Sequence, residues 1–155
     1  MERYDECISK AKQSLLIGEQ VLKITFPLLK ENKLLLVVLE RIHDSHIQML
    51  QGVLTYERER RTIPPFQANF ESMCNMLELR LEKKYSPAGK EIELLKIVAQ
   101  TIKFHKDAVI AFSRKNTLIL ASDKYVIQKV TPEFVMDAIQ QTQKMISAWS
   151  RLLTK

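Results

Sequence analysis

Apolar residues at Tyr4, Ile8, Ala11, Leu15, Leu22 and Leu29, with Gly18 in the same seven-residue register, mark one face of a helix. The spacing predicts a first helix from about Glu2 to the neighbourhood of Pro27. A proline there lacks an amide hydrogen and pushes its predecessor off helical angles, so a kink or early stop is expected. After a short turn at Lys30-Glu31-Asn32-Lys33, a second face runs through Leu35, Leu39, Ile42, His46, Met49, Val53 and Tyr56. It predicts a long helix, about Lys33 to Arg61, closing at the breaker Ile63-Pro64-Pro65. Phe66, Phe70, Met73, Leu77 and Leu81 form a third face, ended by the turn signal Tyr85-Ser86-Pro87-Ala88-Gly89. Leu94, Val98, Ile102, His105, Val109 and Phe112 form a fourth.

The period changes between residues 116 and 130. Thr117-Leu118-Ile119-Leu120 and Tyr125-Val126-Ile127 are β-branched and aromatic runs on either side of Ser122-Asp123-Lys124, which predicts a small hairpin or extended flap. Thr131-Pro132-Glu133 then offers an N-cap, a proline at the first helical position and an acid in the first turn. The last helix turns Val135, Ala138, Thr142, Met145, Trp149 and Leu152 inward. The pattern as a whole predicts an all-α fold: one domain over residues 1–155, a five-helix and mostly antiparallel bundle with a short extended or hairpin segment near residues 116–130.

Composition supports this. Only 3 Gly and 5 Pro occur in 155 residues, too few for a turn-dense β architecture, and 46% hydrophobic with 27% charged residues is a globular balance. The longest apolar run, Leu34 to Leu39, is far short of the roughly 20 residues of a spanning helix, and no membrane partner is expected. No leader pattern opens the chain, and Cys7 and Cys74 form no CxxC pair, so two buried thiols in a reducing, cytoplasmic setting are expected.

The formal charge of +6 lies wholly in the second part, since residues 1–50 carry 7 basic and 7 acidic side chains and residues 51–155 carry 17 and 11. Such a field attracts phosphates and acidic surfaces. The candidate contacts are Arg58, Arg60 and Arg61 at the end of the second helix, Lys83 and Lys84 at the end of the third, and Lys103, Lys106, Arg114 and Lys115 along the fourth. Interleaving with Glu57 and Glu59, and the preference of cations for helix C-termini, offer a purely structural account of the same residues. The best expectation is a non-catalytic binding module for nucleic acid or an acidic protein surface. Assembly through helix faces without a ligand is an alternative, and the oligomeric state, a dimer included, is left open.

Catalytic signals are sparse. No phosphate loop, dinucleotide loop, nucleophile elbow, HExxH or EF-hand pattern is present. Glu40-x-x-His43 resembles half of a di-iron motif without its second copy, and His43, His46 and Asp44 lack a further metal ligand, so neither metal nor cofactor is expected. Arg41-x4-His46 resembles in spacing the R-x4-6-H motif of the HEPN ribonuclease superfamily, a helical-bundle family in which the pair acts on RNA phosphate and on proton transfer, usually across a dimer. Here the pair lies in the second helix and not toward the end of the domain, and a regular helix points the two side chains about 140° apart. His46 and His105 each fall on an apolar helix line. As a pair they could meet inside the bundle, hydrogen-bonded to each other or to Thr101, Thr142 or Tyr56, or stand there as separate core histidines.

Three stretches taken together, Thr25 to Leu36, Tyr56 to Ser72, and His105 through Phe112-Ser-Arg-Lys-Asn116 into Val126, resemble a family of small, mostly helical archaeal proteins without an assigned activity. The resemblance implies the helical fold and carries no active-site residues. It groups His105, Ser113, Arg114 and Lys115 as one unit at a helix end before the flap, a place for a ligand and equally a helix end with its caps.

Overall fold

A 26-residue helix, α3 (Leu34–Glu59), is the axis on which the rest of the chain is laid, and it buries residues on nearly every side of its second half. The computed structural model describes residues 3–108, 110–115, 117–122 and 126–153, with backbone alone for Ile110 and Phe112. Along α3 runs α1 (Tyr4–Gln20), antiparallel to it: Cys7 meets Gly52, Ala11 meets Ser45, and Gly18 meets Val38 and Arg41. The approach is close because the facing residues are small. A Cβ on Gly52 would stand 3.0 Å from that of Cys7, and one on Gly18 would stand 3.1 Å from that of Arg41. Ser45 uses the proximity to donate to the Ala11 carbonyl at 2.9 Å.

The first helix does not stop at Pro27. It passes through a π-helical turn, Val21–Thr25, in which the Phe26 amide donates to the Val21 carbonyl, and continues as α2 (Phe26–Leu29). A prolyl ring cannot donate to the carbonyl four residues back and collides with it, and widening the preceding turn accommodates both defects. The extra residue shifts the following side chains by about 100°. Leu22 remains buried, but Leu29, expected on the inner line, points outward and is 60% exposed. Lys30, at φ 53, ends the segment.

Helix α4 (Phe70–Arg80) is capped by Asn69, whose side chain accepts from the Ser72 amide at 2.9 Å. Phe66, expected in this helix, precedes it in the connection that begins at Ile63-Pro64-Pro65. That connection returns the chain toward the middle of α3, where the Phe70 ring lies tilted beside that of His43, and the residues after α4, Lys84 and Tyr85, reach Glu57, so α4 runs parallel to α3. A break at Leu81 separates α4 from the single turn α5 (Glu82–Tyr85). Gly89, at φ 74, then starts α6 (Lys90–Asp107).

The expected fourth helix is shorter than its apolar pattern. It ends at Asp107, and the chain turns into strands β1 (Ile110–Arg114), β2 (Thr117–Ala121) and β3 (Ile127–Val130), an antiparallel sheet in that order. The hairpin foreseen near residues 116–130 is therefore two strands of a three-stranded sheet whose first strand was read as helix. The chain is mostly helical but not all-α. Arg114 pairs with Thr117 across the first turn, and Leu118, Leu120 and Val130 are buried beneath the sheet. Val109, Asn116, Asp123, Lys124 and Tyr125 lie outside the described residues, as does Glu2. Finally α7 (Pro132–Leu153) opens with the Thr131 hydroxyl accepting from the Phe134 amide at 3.1 Å. It packs between α3 and α1 with Val135, Ala138, Thr142, Met145 and Trp149 inward. No helix among the described residues is long and apolar enough to cross a membrane.

Candidate functional site

His46 sits on the face of α3 that meets α7 and is wholly buried, with Nε2 2.9 Å from the Thr142 hydroxyl. Burial first, and the nearby His43 second, depress its pKa to about 3, so the ring is a neutral imidazole at ordinary pH. His43 is half-buried, with its ring 4.8 Å from that of Phe70. Its pKa is lowered by burial, against the pull of Asp44 and with a further push from Lys106. His105, half-buried in the last turn of α6, makes no hydrogen bond or ring contact with His46 among the described residues. The partner of His46 is thus Thr142, one of the three foreseen, and the two histidines act separately.

Arg41 faces the other way. It is exposed on a polar groove of about 360 Å³ between α1 and α3, shared with Lys10, Ser14, Asp44 and Gln48. Within one chain Arg41 and His46 therefore share no groove. General acid–base work needs an imidazole that reaches the substrate and titrates near the working pH, and His46 meets neither condition here. No group of three His, Cys, Asp or Glu side chains among the described residues could hold a metal ion.

A centre that the linear pattern did not reveal lies where α3 ends. Glu57, one of the two acids interleaved with the arginines, is only 1% exposed. Its Oε1 accepts from Lys84 Nζ at 2.6 Å and from the Tyr85 hydroxyl at 2.7 Å, and its Oε2 accepts from the Thr62 hydroxyl at 2.7 Å. Burial pushes the carboxyl upward, but the hydrogen bonds from Lys84, Thr62 and Tyr85 outweigh it and hold the pKa below the ordinary value. Burial and the bond to Glu57 drive the Tyr85 phenol far above its usual range. Trp149 completes the cluster by donating to the Tyr85 carbonyl at 2.9 Å. Bonded at both carboxylate oxygens and buried from solvent, Glu57 is a latch between α3 and α5, with Trp149 of α7 closing over it, and offers a ligand no open approach.

The basic residues divide into two groups at opposite ends of the bundle. At the end marked by the Glu57 latch lie Arg58, Arg60, Arg61, Lys83 and Lys84. Two of them are already employed: Lys84 in the latch, and Arg60 as donor to the Tyr56 hydroxyl at 2.8 Å with its guanidinium over the same ring. Arg58 is half-buried, and Arg61 holds the left-handed position, φ 61, that closes α3. About 20 Å away along α3 is the other end, where Lys106 adjoins His43 and Lys103 sits one turn before it. Arg114 and Lys115 are not on helix α6 but on β1 and its turn.

That turn is fastened to the bundle by Asn32, a buried residue between α2 and α3, whose Nδ2 donates to the carbonyls of Lys115 at 2.9 Å and Thr117 at 3.2 Å. Lys115, at φ 54, has the left-handed geometry that a two-residue hairpin turn demands. Lys103, Lys106, Arg114 and Lys115 are all exposed, and none makes an ion pair among the described residues. Lys30 and Lys33, in the turn between α2 and α3, stand close to Asn32 in the chain and belong to the same end.

Three further grooves follow helix seams. The largest, about 580 Å³, lies between α6 and α7 and mixes Lys90, Glu91, Asp137 and Lys144. One of about 440 Å³ lies between α4 and α6 beside Cys74, whose thiol pKa is raised by burial. The third, about 230 Å³, lies between α1 and α7. Each alternates charges of both signs or apolar edges instead of gathering groups around one point, as an orienting ligand site requires. Comparison with family models, with curated proteins and with solved structures finds no match.

Proposed function

We infer that this chain is a non-catalytic binding module whose sheet end meets the backbone of a nucleic acid. The observation that carries this reading is the Asn32 clamp, which holds the β1–β2 turn against the bundle and so sets Arg114 and Lys115 at the same end as Lys103 and Lys106. All four are exposed and lack an intramolecular ion pair among the described residues. Cations held on separate but rigid elements lose little freedom on meeting phosphates, and phosphate contacts supply most of non-specific affinity. In this reading α1, α3, α4, α6 and α7 are a five-helix scaffold for the sheet, and the site of action is cytoplasmic, where Cys7 and Cys74 stay reduced. Arg58, Arg60 and Arg61 serve chiefly to close α3, with Arg58 and Arg61 as outlying contacts.

Four phosphate contacts predict that affinity for duplex nucleic acid falls on the order of 100-fold between about 50 and 200 mM salt. Replacing Lys106, Arg114 and Lys115 together by glutamine should flatten that dependence by nearly three log units per log unit of salt. Titration of labelled DNA and RNA, single and double stranded, at several salt concentrations measures both. Affinity independent of salt, or no binding to any of the four, would refute the reading.

A further inference from the structure

The π-helical turn has a product that the binding reading does not use. By shifting the register just before Pro27, it turns Leu29 outward to join Ile24 and Leu28, which already lie off the inner line, so that three large apolar side chains are exposed within six residues: Ile24 at 60%, Leu28 at 77% and Leu29 at 60%. Exposed leucines scattered singly need no explanation, whereas a cluster at one tip does. The tip ends at the same α2–α3 turn that Asn32 joins to Lys115, and exposed Lys23, Lys30 and Lys33 surround it, Lys23 paired with Glu19 at 3.5 Å and Lys30 and Lys33 standing on either side of the exposed acid Glu31.

The shape and charge of this tip select its occupant. At 60%, 77% and 60% exposure Ile24, Leu28 and Leu29 protrude, and none of the four grooves described above includes them. A second copy of the chain, meeting through a two-fold axis, would bring the same patch onto itself and set Lys23, Lys30 and Lys33 against their own counterparts. A nucleic acid offers the negative charge but no apolar interior. An anionic lipid bilayer offers both: negatively charged headgroups at the surface for the lysines, and acyl chains beneath for the leucines. Residues 24 to 29 rise about 7 to 8 Å along the helix, comparable to the roughly 5–10 Å by which interfacial helices enter the headgroup boundary.

We propose that Ile24, Leu28 and Leu29 insert into the surface of an anionic bilayer, with Lys23, Lys30, Lys33 and Lys115 resting on its headgroups. This is attachment at one tip, without a spanning segment. It draws on the reading above only for Lys115 and the sense of charge at this end.

The test is co-sedimentation of the full chain with two kinds of vesicle: phosphatidylcholine alone, and phosphatidylcholine with roughly a third phosphatidylserine. Binding to the mixed vesicles alone is expected. Leu28→Ser with Leu29→Ser should weaken it at least tenfold, and Lys30→Gln with Lys33→Gln should weaken it comparably. All four substitutions are at exposed positions, and circular dichroism confirms that the helices persist. The leucine pair should leave affinity for nucleic acid unchanged, which separates this proposal from the preceding one. Failure to bind the mixed vesicles, equal binding to both kinds, or binding that survives loss of the leucines would overturn it. A leucine-dependent dimer in place of vesicle binding would do the same.

Discussion

His46 is a polar side chain held in the core by one partner, its Nδ1 being buried without a hydrogen bond. With Thr142 at 2.9 Å its Nε2 is satisfied, and the ring lies wholly out of water. Thr142→Val keeps the shape and removes the partner, so it is expected to cost about 1–3 kcal/mol, read from urea unfolding. Combining it with His46→Leu should recover part of that loss, because an apolar pair has no bond to miss. The pH dependence follows from the depressed folded pKa of about 3 against an ordinary 6.5. Protons bind the unfolded imidazole first, so the contribution of His46 is intact above about pH 6.5 and drains away as pH falls toward 3. The slope is about 1.4 kcal/mol per pH unit across that window. Glu57, also depressed, adds to the loss only below the ordinary carboxylate value of 4.5. Urea midpoints at pH 7, 5 and 4 should therefore fall less steeply in His46→Leu than in the native chain. Inward placement of His46 was legible from its line with Ile42, Met49 and Val53. Burial of Glu57 was not, because the residues that enclose it, Lys84 and Tyr85, stand 27 and 28 positions further on. Local periodicity carries no record of such a meeting.

At the scale of elements, the α1–α3 seam is fixed by what is missing from it. Gly52→Val must place a branched side chain where even a Cβ lies 3.0 Å from Cys7, and neither helix backbone can yield without disturbing the Ser45 bond to Ala11. Overpacking of this kind costs about 1–3 kcal/mol, and for a chain of this size each kcal/mol lowers Tm by roughly 2–4 °C. A thermal scan in which Gly52→Val matches the native chain would contradict the close approach. The long helices were readable because each presents an unbroken apolar stripe over several turns. Strand β1 was not, since Val109 and Phe112 continue the 3- and 4-residue spacing of α6. Only the pairing of Ile110 through Arg114 with Ala121 through Thr117 decides that the chain is extended there. The phase shift at Pro27 was half legible: a proline announces a disturbance, but whether the helix stops or widens depends on what α3 offers on the other side.

The molecule as a whole has two unlike ends. One is closed by the Glu57 latch and the rings of Tyr56, Tyr85 and Trp149; the other is a thin sheet fastened by Asn32 to the α2–α3 turn and by Gln128, which donates to the Thr101 hydroxyl on α6 at 3.0 Å. Asn32→Ala should release the β1–β2 turn locally, speeding amide exchange at the β1–β2 ladder while leaving the α1–α3 seam protected, and it should weaken binding at the sheet end without removing a charge. Uniform acceleration over the whole chain would show instead that the sheet and the bundle unfold as one.

The latch also equips the protein with a native optical probe. Trp149 is its single tryptophan, 1% exposed, with its indole hydrogen bound to the Tyr85 carbonyl and its ring edge-on to Tyr85 at 5.7 Å. Its emission should be blue-shifted in the folded state and move to longer wavelength when the latch end opens. Because the sheet end is about 20 Å distant along α3, a partner docking there should leave that emission unchanged. Intrinsic fluorescence in this chain is therefore a clock for unfolding that stays silent to occupancy, and any ligand that does alter it has touched the far end.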